Sequence, residues 1–183
     1  MSTITQERAA LWQIDPTHTL VEFSVRHMMV TTVKGRFTGV SGAIVFDERD
    51  LSRSSVEAAI DAMTIDTGVE QRNTHLKSAD FLEVEQYPTI SFQSTRIEGS
   101  QGDHFKMMGN LTIHGVTREV VLDVEYNGSS KTPYGTTVAG FTATTTINRK
   151  DFGLNWNVAL EVGGWLVGDT IKIAIEVEAV LQG

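Results

Sequence analysis

The chain has 183 residues, 40% of them hydrophobic and 21% charged, which fits one globular domain with a sizeable core and excludes a disordered chain. Its formal net charge of -8 argues against nucleic-acid binding, because a phosphate backbone needs a basic face. Without cysteine there can be no disulfide or thiolate site, and no apolar run approaches the roughly 18 residues of a membrane-spanning helix.

Residues 1–11 read as a flexible tail, in which Glu7 and Arg8 interrupt any apolar run that could act as a secretion signal. A chain starting at Met1 is therefore expected to be cytoplasmic, with its folded domain over residues 12–183. Residues 12–14 form a short extended piece, stopped by Asp15-Pro16. From Thr19 the pattern alternates: Val21, Phe23, Val25 and His27 share one face of a half-buried strand. Residues 34–46 read as one strand whose apolar phase slips between Phe37 and Val40. Gly35, Gly39 and Gly42 would permit the bulge or bend that a slip requires. After a polar turn at residues 47–54, Val56, Ala58, Ile60 and Ala62 form one face of the next strand.

One long segment does not alternate, and a short helical insertion is expected at residues 67–85. Asp66 or Thr67 can cap its start, Val69 and Leu76 share a face, and Ser78 can cap a second turn carrying Phe81 and Leu82. Pro88 ends the insertion and holds Tyr87 extended. Strands resume with Ile90 and Phe92, then Phe105, Met107, Leu111 and Ile113. A tight turn at His114-Gly115 leads to Val120, Leu122, Val124 and Tyr126. Residues 138–147 form a threonine-rich strand with Gly140, Thr142, Thr144 and Thr146 on one side. Residues 148–168 read as irregular, and Ile171, Ile173, Ile175 and Val177 point inward from the last strand.

The fold class is therefore all-β: a single extended antiparallel β-barrel of about eight strands with one helical insertion. The last strand is expected to pair with the first, which removes exposed edges. A barrel of this size is either filled with side chains or holds one elongated ligand. Gly39, Ala58, Ala62, Gly140, Thr142 and Thr144, read as inward, leave a cavity unless large neighbours offset them. Phe23, Phe37, Phe92, Phe105 and Met107 are the residues that could instead fill it.

Six runs occur in order: DPTHTLVEFSVRHM from Asp15, GRFTGVSGAIVFD from Gly35, RNTHLKSADFLEVEQYPTISFQST from Arg72, GNLTIHGVTREVVLDV from Gly109, TINRKDFG from Thr146 and GDTIKIAIEVEA from Gly168. Together they resemble the YceI family over nearly the whole chain, from Trp12 to Ala179. The resemblance implies a lipocalin-like barrel whose hydrophobic channel holds a polyisoprenoid-type lipid, often as a homodimer, with no cofactor required. Outward apolar residues such as Met108, Val121 and Val180 are open to a dimer interface or to harmless scatter. The sequence departs from the family at Asn73, which usually is Asp, so any contact of that group is made here without charge.

On this reading the ligand is an isoprenoid quinone or a polyprenyl phosphate. Its tail is expected to touch Phe23, Val25, Phe37, Ala58, Ile60, Ala62, Phe92, Leu122 and Ile173, and an anionic head group would meet Arg72 and Lys77. Arg26, Arg36 and Lys150 are further cationic candidates, and Arg149 is as suited to bracing its loop as to binding. His18, His27, His75, His104 and His114 lack metal-ligand spacing, and His18 and His27 are expected to hold backbone groups near the first strand. No GxSxG, P-loop or GxGxxG motif is present, so neither a metal site nor catalysis is expected. The competing readings are an enzyme acting on a small hydrophobic substrate through a titrating acid or base, and a filled protein-interaction barrel with an exposed apolar patch.

Overall fold

A computed structural model describes residues 9–183. Its elements are β1 (Ala10–Ile14), β2 (Leu20–His27), β3 (Thr31–Phe37), β4 (Val40–Phe46), β5 (Ser55–Asp61), α1 (Glu70–Lys77), β6 (Thr89–Gln101), β7 (His104–Ile113), β8 (Val116–Lys131), β9 (Thr137–Asn148) and β10 (Thr170–Leu181). The order β1-β4-β5-β6-β7-β8-β9-β10 is closed by pairing of β10 with β1, giving an eight-stranded antiparallel barrel; β2 and β3 extend from β10 as two further strands. Residues 1–8 of the expected tail lie outside the described residues. Its last two, Ala10 and Leu11, belong to β1, opposite Phe46 and Val45.

The strand expected over residues 34–46 is two strands. β3 pairs with β2, whereas β4 pairs with β1 and β5. The phase slip has a local cause: the backbone N–H groups of Thr38 and Gly39 donate to the Thr64 hydroxyl at 3.3 and 3.1 Å, outside any sheet ladder. The interruption lets Phe37 and Val40 both face the interior. Gly42 in β4 has φ +148°, and a Cβ there would stand 2.2 Å from the Glu57 carbonyl oxygen of β5.

β9 corrects the sequence reading. Directly opposed residues of an antiparallel pair share a face, and Ala143 and Thr145 lie opposite Ile175 and Ile173. The inward set of β9 is therefore Phe141, Ala143, Thr145 and Ile147, and Gly140, Thr142 and Thr144 face outward. The Thr142 hydroxyl accordingly meets the exposed Glu176 carboxylate at 3.1 Å. Gly39, also read as inward, sits in the β3–β4 connection.

One end of the barrel carries α1 and the β2–β3, β7–β8 and β9–β10 connections, and is called the helix end below. The opposite end is filled by Phe46, Tyr126 and Phe141, whose ring centroids lie 4.8–5.3 Å apart. The insertion is shorter than expected, with eight helical residues followed by turns. Its N-cap is Val69, which offers no side-chain oxygen, so neither Asp66 nor Thr67 caps the helix. The connection between β9 and β10, expected to be irregular, starts with a 3-10 turn at Arg149–Phe152. It then folds residues 158–166 into a small hairpin through Leu166 N–H to Val158 O at 2.9 Å and Leu160 N–H to Gly164 O at 3.0 Å.

The close approach of β4 to β5 is testable. Gly42→Ala should destabilise the protein by about 2 kcal/mol or more, since backbone cannot move aside cheaply. Gly128→Ala, also at positive φ but in open space, should cost only about 1 kcal/mol. Urea denaturation of both variants measures the difference; equal losses would mean that the contact with Glu57 is not limiting.

Candidate functional site

Between the helix end and the Phe46–Tyr126–Phe141 cluster lies a cavity of about 270 Å³. Its wall includes Phe23 and Val25 of β2, Phe37 of β3, Ala58 and Ile60 of β5, Phe92 of β6, Leu122 of β8 and Ile173 of β10. Two aromatic side chains are kept against the wall by glycines. A Cβ at Gly35 would lie 2.3 Å from the Phe23 ring, and one at Gly109 would lie 2.3 Å from the Phe92 ring. Because the rings occupy the space over the glycines, they do not fill the barrel centre.

The wall exposes only apolar atoms. Ser54, Thr145 and Arg149 contribute carbon to it, and the Thr145 hydroxyl donates instead to the Val121 carbonyl at 2.8 Å. Ala62, Arg72 and Lys77 are not on the wall. The alternation that turns Ala58 and Ile60 inward ends with β5 at Asp61, and Ala62 starts a 3-10 turn in which it is 1% exposed. Further wall residues come from outside the strands: Leu76 of α1 with Phe81 and Leu82 after it, apolar residues of the expected insertion, and Ile65, Leu154 and Val167 from irregular segments where no period marks them.

Those segments cap the helix end. Rings of His75, Phe81 and Trp156 pack with centroids 4.7–5.3 Å apart, joining the α1 region to the β9–β10 connection. His114 of the β7–β8 turn lies 3.2 Å from Glu83 and stacks against Tyr87, which fixes the segment from the other side.

Arg149 braces the β9–β10 connection. Only 2% exposed, it donates to the carbonyls of Gly168, Leu154, Trp156 and Val167 at 2.6–3.4 Å, with Asp169 3.5 Å away. Burial pulls its pKa below the usual guanidinium value, and Asp169 opposes the shift.

The remaining cations are mostly engaged. Arg72 donates to the Thr67 hydroxyl and carbonyl, both at 2.8 Å. Arg26 donates to Thr32 and to the Met29 carbonyl, Arg36 lies 3.8 Å from Asp66, and Lys150 lies 3.3 Å from Asp169. Lys77, half-buried in the last turn of α1, accepts from the Val84 N–H through its carbonyl at 3.0 Å, and its side chain has no hydrogen bond or ion pair among the described residues, although its charge helps to lower the Asp66 pKa. Asn73 is buried beside this group. Its side-chain oxygen accepts from the Thr67 N–H and hydroxyl at 2.8 and 2.7 Å, and its amide donates to Asp66 at 3.2 Å. A carboxylate at position 73 could make the first two bonds but would repel Asp66. The Gly68 N–H, followed by Asn73, holds the Asp66 carboxyl below its ordinary pKa.

His18 binds carboxylates, not the backbone groups expected for it. Its Nδ1 lies 2.9 Å from Asp15 and 3.5 Å from Glu178, and the ligating atoms of the three side chains lie within 4.8 Å of one another, away from the cavity wall. His27 pairs through its backbone with Val167. The His18 hydrogen bond, then those of Thr17, lower the Asp15 pKa from 3.8 to about 2, and Asp15, then Glu178, raise that of His18 above 6.5. The Asp15 contribution to stability is present above pH 3.8 and lost on acidification toward 2. The His18 contribution is present below pH 6.5 and lost as pH rises through its raised value. His18→Ala should therefore lower Tm most near pH 5 and least near pH 9, by a small amount because the pair is exposed. A pH-independent difference in melting scans would assign His18 a packing role instead.

Comparison with known proteins places this geometry in a family. A family model described as YceI-like domain matches residues 12–179. The UPF0312 protein SAS2572 of Staphylococcus aureus (strain MSSA476) is 39% identical over 165 residues, covering 90% of this chain and 94% of that protein. Among solved structures, the Campylobacter jejuni YceI protein is 30% identical with a TM-score of 0.72, covering 86% of this chain and 90% of that one. Burkholderia cenocepacia BcnA, at 22% identity, shares the fold with a TM-score of 0.78 over 90% of this chain and 98% of that one. A polyisoprenoid-binding domain from Saccharophagus degradans, at 15% identity, shares it with a TM-score of 0.65 over 96% of this chain and all of that one, 100%. The chain belongs to the family of YceI-like domains.

Proposed function

We propose that this chain binds an isoprenoid lipid with its tail in the barrel cavity, and that it carries or sequesters the lipid without chemical change. The observation that carries this reading is the wall: a space of about 270 Å³, near the lower end of ligand pockets (roughly 300–1,000 Å³), that exposes no polar atom. Such a cavity does not hold water, so an apolar tail enters without displacing ordered solvent. Each buried CH₂ contributes about 0.8 kcal/mol relative to water. The same wall offers no group for proton transfer or nucleophilic attack, which supports binding over catalysis. The structural similarity to a domain that binds polyisoprenoids agrees with it.

A head group of either proposed ligand class, quinone or polyprenyl phosphate, finds no partner inside and must sit at the rim. Lys77 follows Leu76, a wall residue, and is the cation best placed to meet a phosphate. Arg72 is committed to Thr67 and belongs to the scaffold of that rim.

Native mass spectrometry after incubation with a polyprenyl phosphate or a quinone tests the reading. Ala58→Trp should lower tail binding of both at least 10-fold with an unchanged Tm, whereas Ala62→Trp, at a buried site off the wall, should unfold the protein. Undiminished binding by Ala58→Trp would place the lipid elsewhere. Lys77→Glu should weaken only the phosphate ligand. Arg72→Glu should lower Tm and affect both ligands alike.

A further inference from the structure

We infer that two neighbouring turns at the helix end form a docking surface for a lipid bilayer. The first is the β2–β3 turn, Met28-Met29-Val30. The second is the hairpin of residues 158–166, which carries Val158, Val162 and Trp165. Their side chains stand out from the surface: Val162 is 95% exposed, Val30 72%, Met29 62% and Trp165 55%. Six large apolar side chains on two adjoining tips exceed the single scattered residues that a soluble surface ordinarily shows.

The two turns form one unit. Met28 N–H donates to the Leu166 carbonyl at 2.8 Å and Gly168 N–H to the Arg26 carbonyl at 2.9 Å, extending the β10–β2 ladder to the tips. Gly164 lets Met29 cross the second hairpin, since a Cβ there would meet its sulfur at 2.1 Å. Met28 and Met29 also have φ of 51° and 64°, a left-handed region where Asn or Gly is the ordinary choice in a tight turn. Placing two exposed methionines there gains no core packing. A contact outside the chain accounts for them better than folding does.

The choice of a bilayer as occupant rests on the reading of the cavity as a lipid site. Val25 and Val167 belong to the cavity wall and lie three residues from Met28 and two from Trp165, so the tips adjoin that part of the wall. Docked there, the protein would hold this part of the wall near the membrane and shorten the path of a tail through water. The shape agrees: projecting tips with Trp, Met and Val suit an interface that yields around them, as interfacial anchors do. Charge plays a minor part. Arg26 at the base is engaged with Thr32 and the Met29 carbonyl, Glu161 stands beside Val162, and the chain carries a net charge of -8. Docking is therefore driven by apolar insertion, and anionic lipid should not strengthen it.

The test uses the full chain and vesicles of phosphatidylcholine free of isoprenoids. Trp165 fluorescence should shift to the blue and be quenched by doxyl-labelled acyl chains, with the Trp165→Phe variant giving the background from Trp12 and Trp156. Co-sedimentation should be insensitive to salt and no stronger with phosphatidylglycerol present. Val162→Asp and Val30→Asp should each reduce vesicle binding at least 10-fold while Tm and loading with detergent-solubilised lipid stay unchanged. Absence of vesicle binding by the unaltered chain overturns the proposal, as does a change of native mass in the variants, which would make the tips a contact between copies. Vesicle binding by a chain that never loads a lipid would uphold docking and sink the cavity reading alone.

Discussion

Closure of the sheet through β10 is the constraint on which the rest of the structure depends. One edge of β10 pairs with β9 from Thr170 to Val180, and the other pairs first with β2 and then with β1. One edge thus serves two strands, and the chain between them has to leave the ladder at residues 15–19. The gap is not left unsatisfied: Asp15 N–H donates to the Glu178 carbonyl at 2.9 Å, and Glu178 N–H donates to the Thr19 hydroxyl at 3.3 Å. The partner run breaks at the same level, between β3 and β4, where Thr64 supplies the substitute acceptor. Closure leaves the ring without an open edge.

The interior follows from where bulk is placed around that ring. Phe46, Tyr126 and Phe141 fill one end, Ala58 and Ala143 line the middle, and Gly35 and Gly109 draw the Phe23 and Phe92 rings back onto the sheet. The helix end is covered by α1 and the β9–β10 connection, joined by the His75, Phe81 and Trp156 rings. A buried charge holds that connection: Arg149 replaces the missing ladder with bonds to four carbonyls. Removing a buried, fully engaged guanidinium typically costs about 3–5 kcal/mol, because its partners are left without donors. The capping side of the cavity therefore depends on one side chain more than on any strand.

The barrel, its closure and the eight strand residues expected inside that line the cavity were legible because strands with one buried face write their phase into the sequence with period two. The reading failed where a second signal outweighed that period. In β9 the odd positions Ala139, Phe141, Ala143 and Ile147 are apolar and carry the phase, but threonine is a good strand former on either face, and the small residues Gly140, Thr142 and Thr144 read as a cavity lining; the isoleucines opposite in β10 fix the phase. Ala62 shows the other failure, since an alternation gives no sign of where a strand stops. Arg72 and Arg149 mark a different limit. Arg149 stays open in the sequence between bracing and binding, and the structure shows it bracing; charge type alone does not distinguish a guanidinium that binds a ligand from one engaged by its own chain, because that depends on irregular backbone which no period encodes. One irregularity within a run of strand, the phase slip after Phe37, was written by the parity of apolar residues on its two sides.

In the proposed function these features bear on the rate of lipid exchange more than on affinity. A tail moving from a bilayer to an apolar cavity passes between two media of similar polarity, so the equilibrium lies near balance and burial area says little about it. Passage through water is different. For a tail of about twenty CH₂ groups, the aqueous intermediate would lie about 16 kcal/mol above either end. A barrier of that size slows exchange by about twelve orders of magnitude. A wall of ideal apolarity would then be of no use to a protein unable to bring its opening to the membrane. The exposed tips and the cavity are for that reason parts of one physical problem. As proposed, the first would shorten the path through water, and the second would make the end of the path dry.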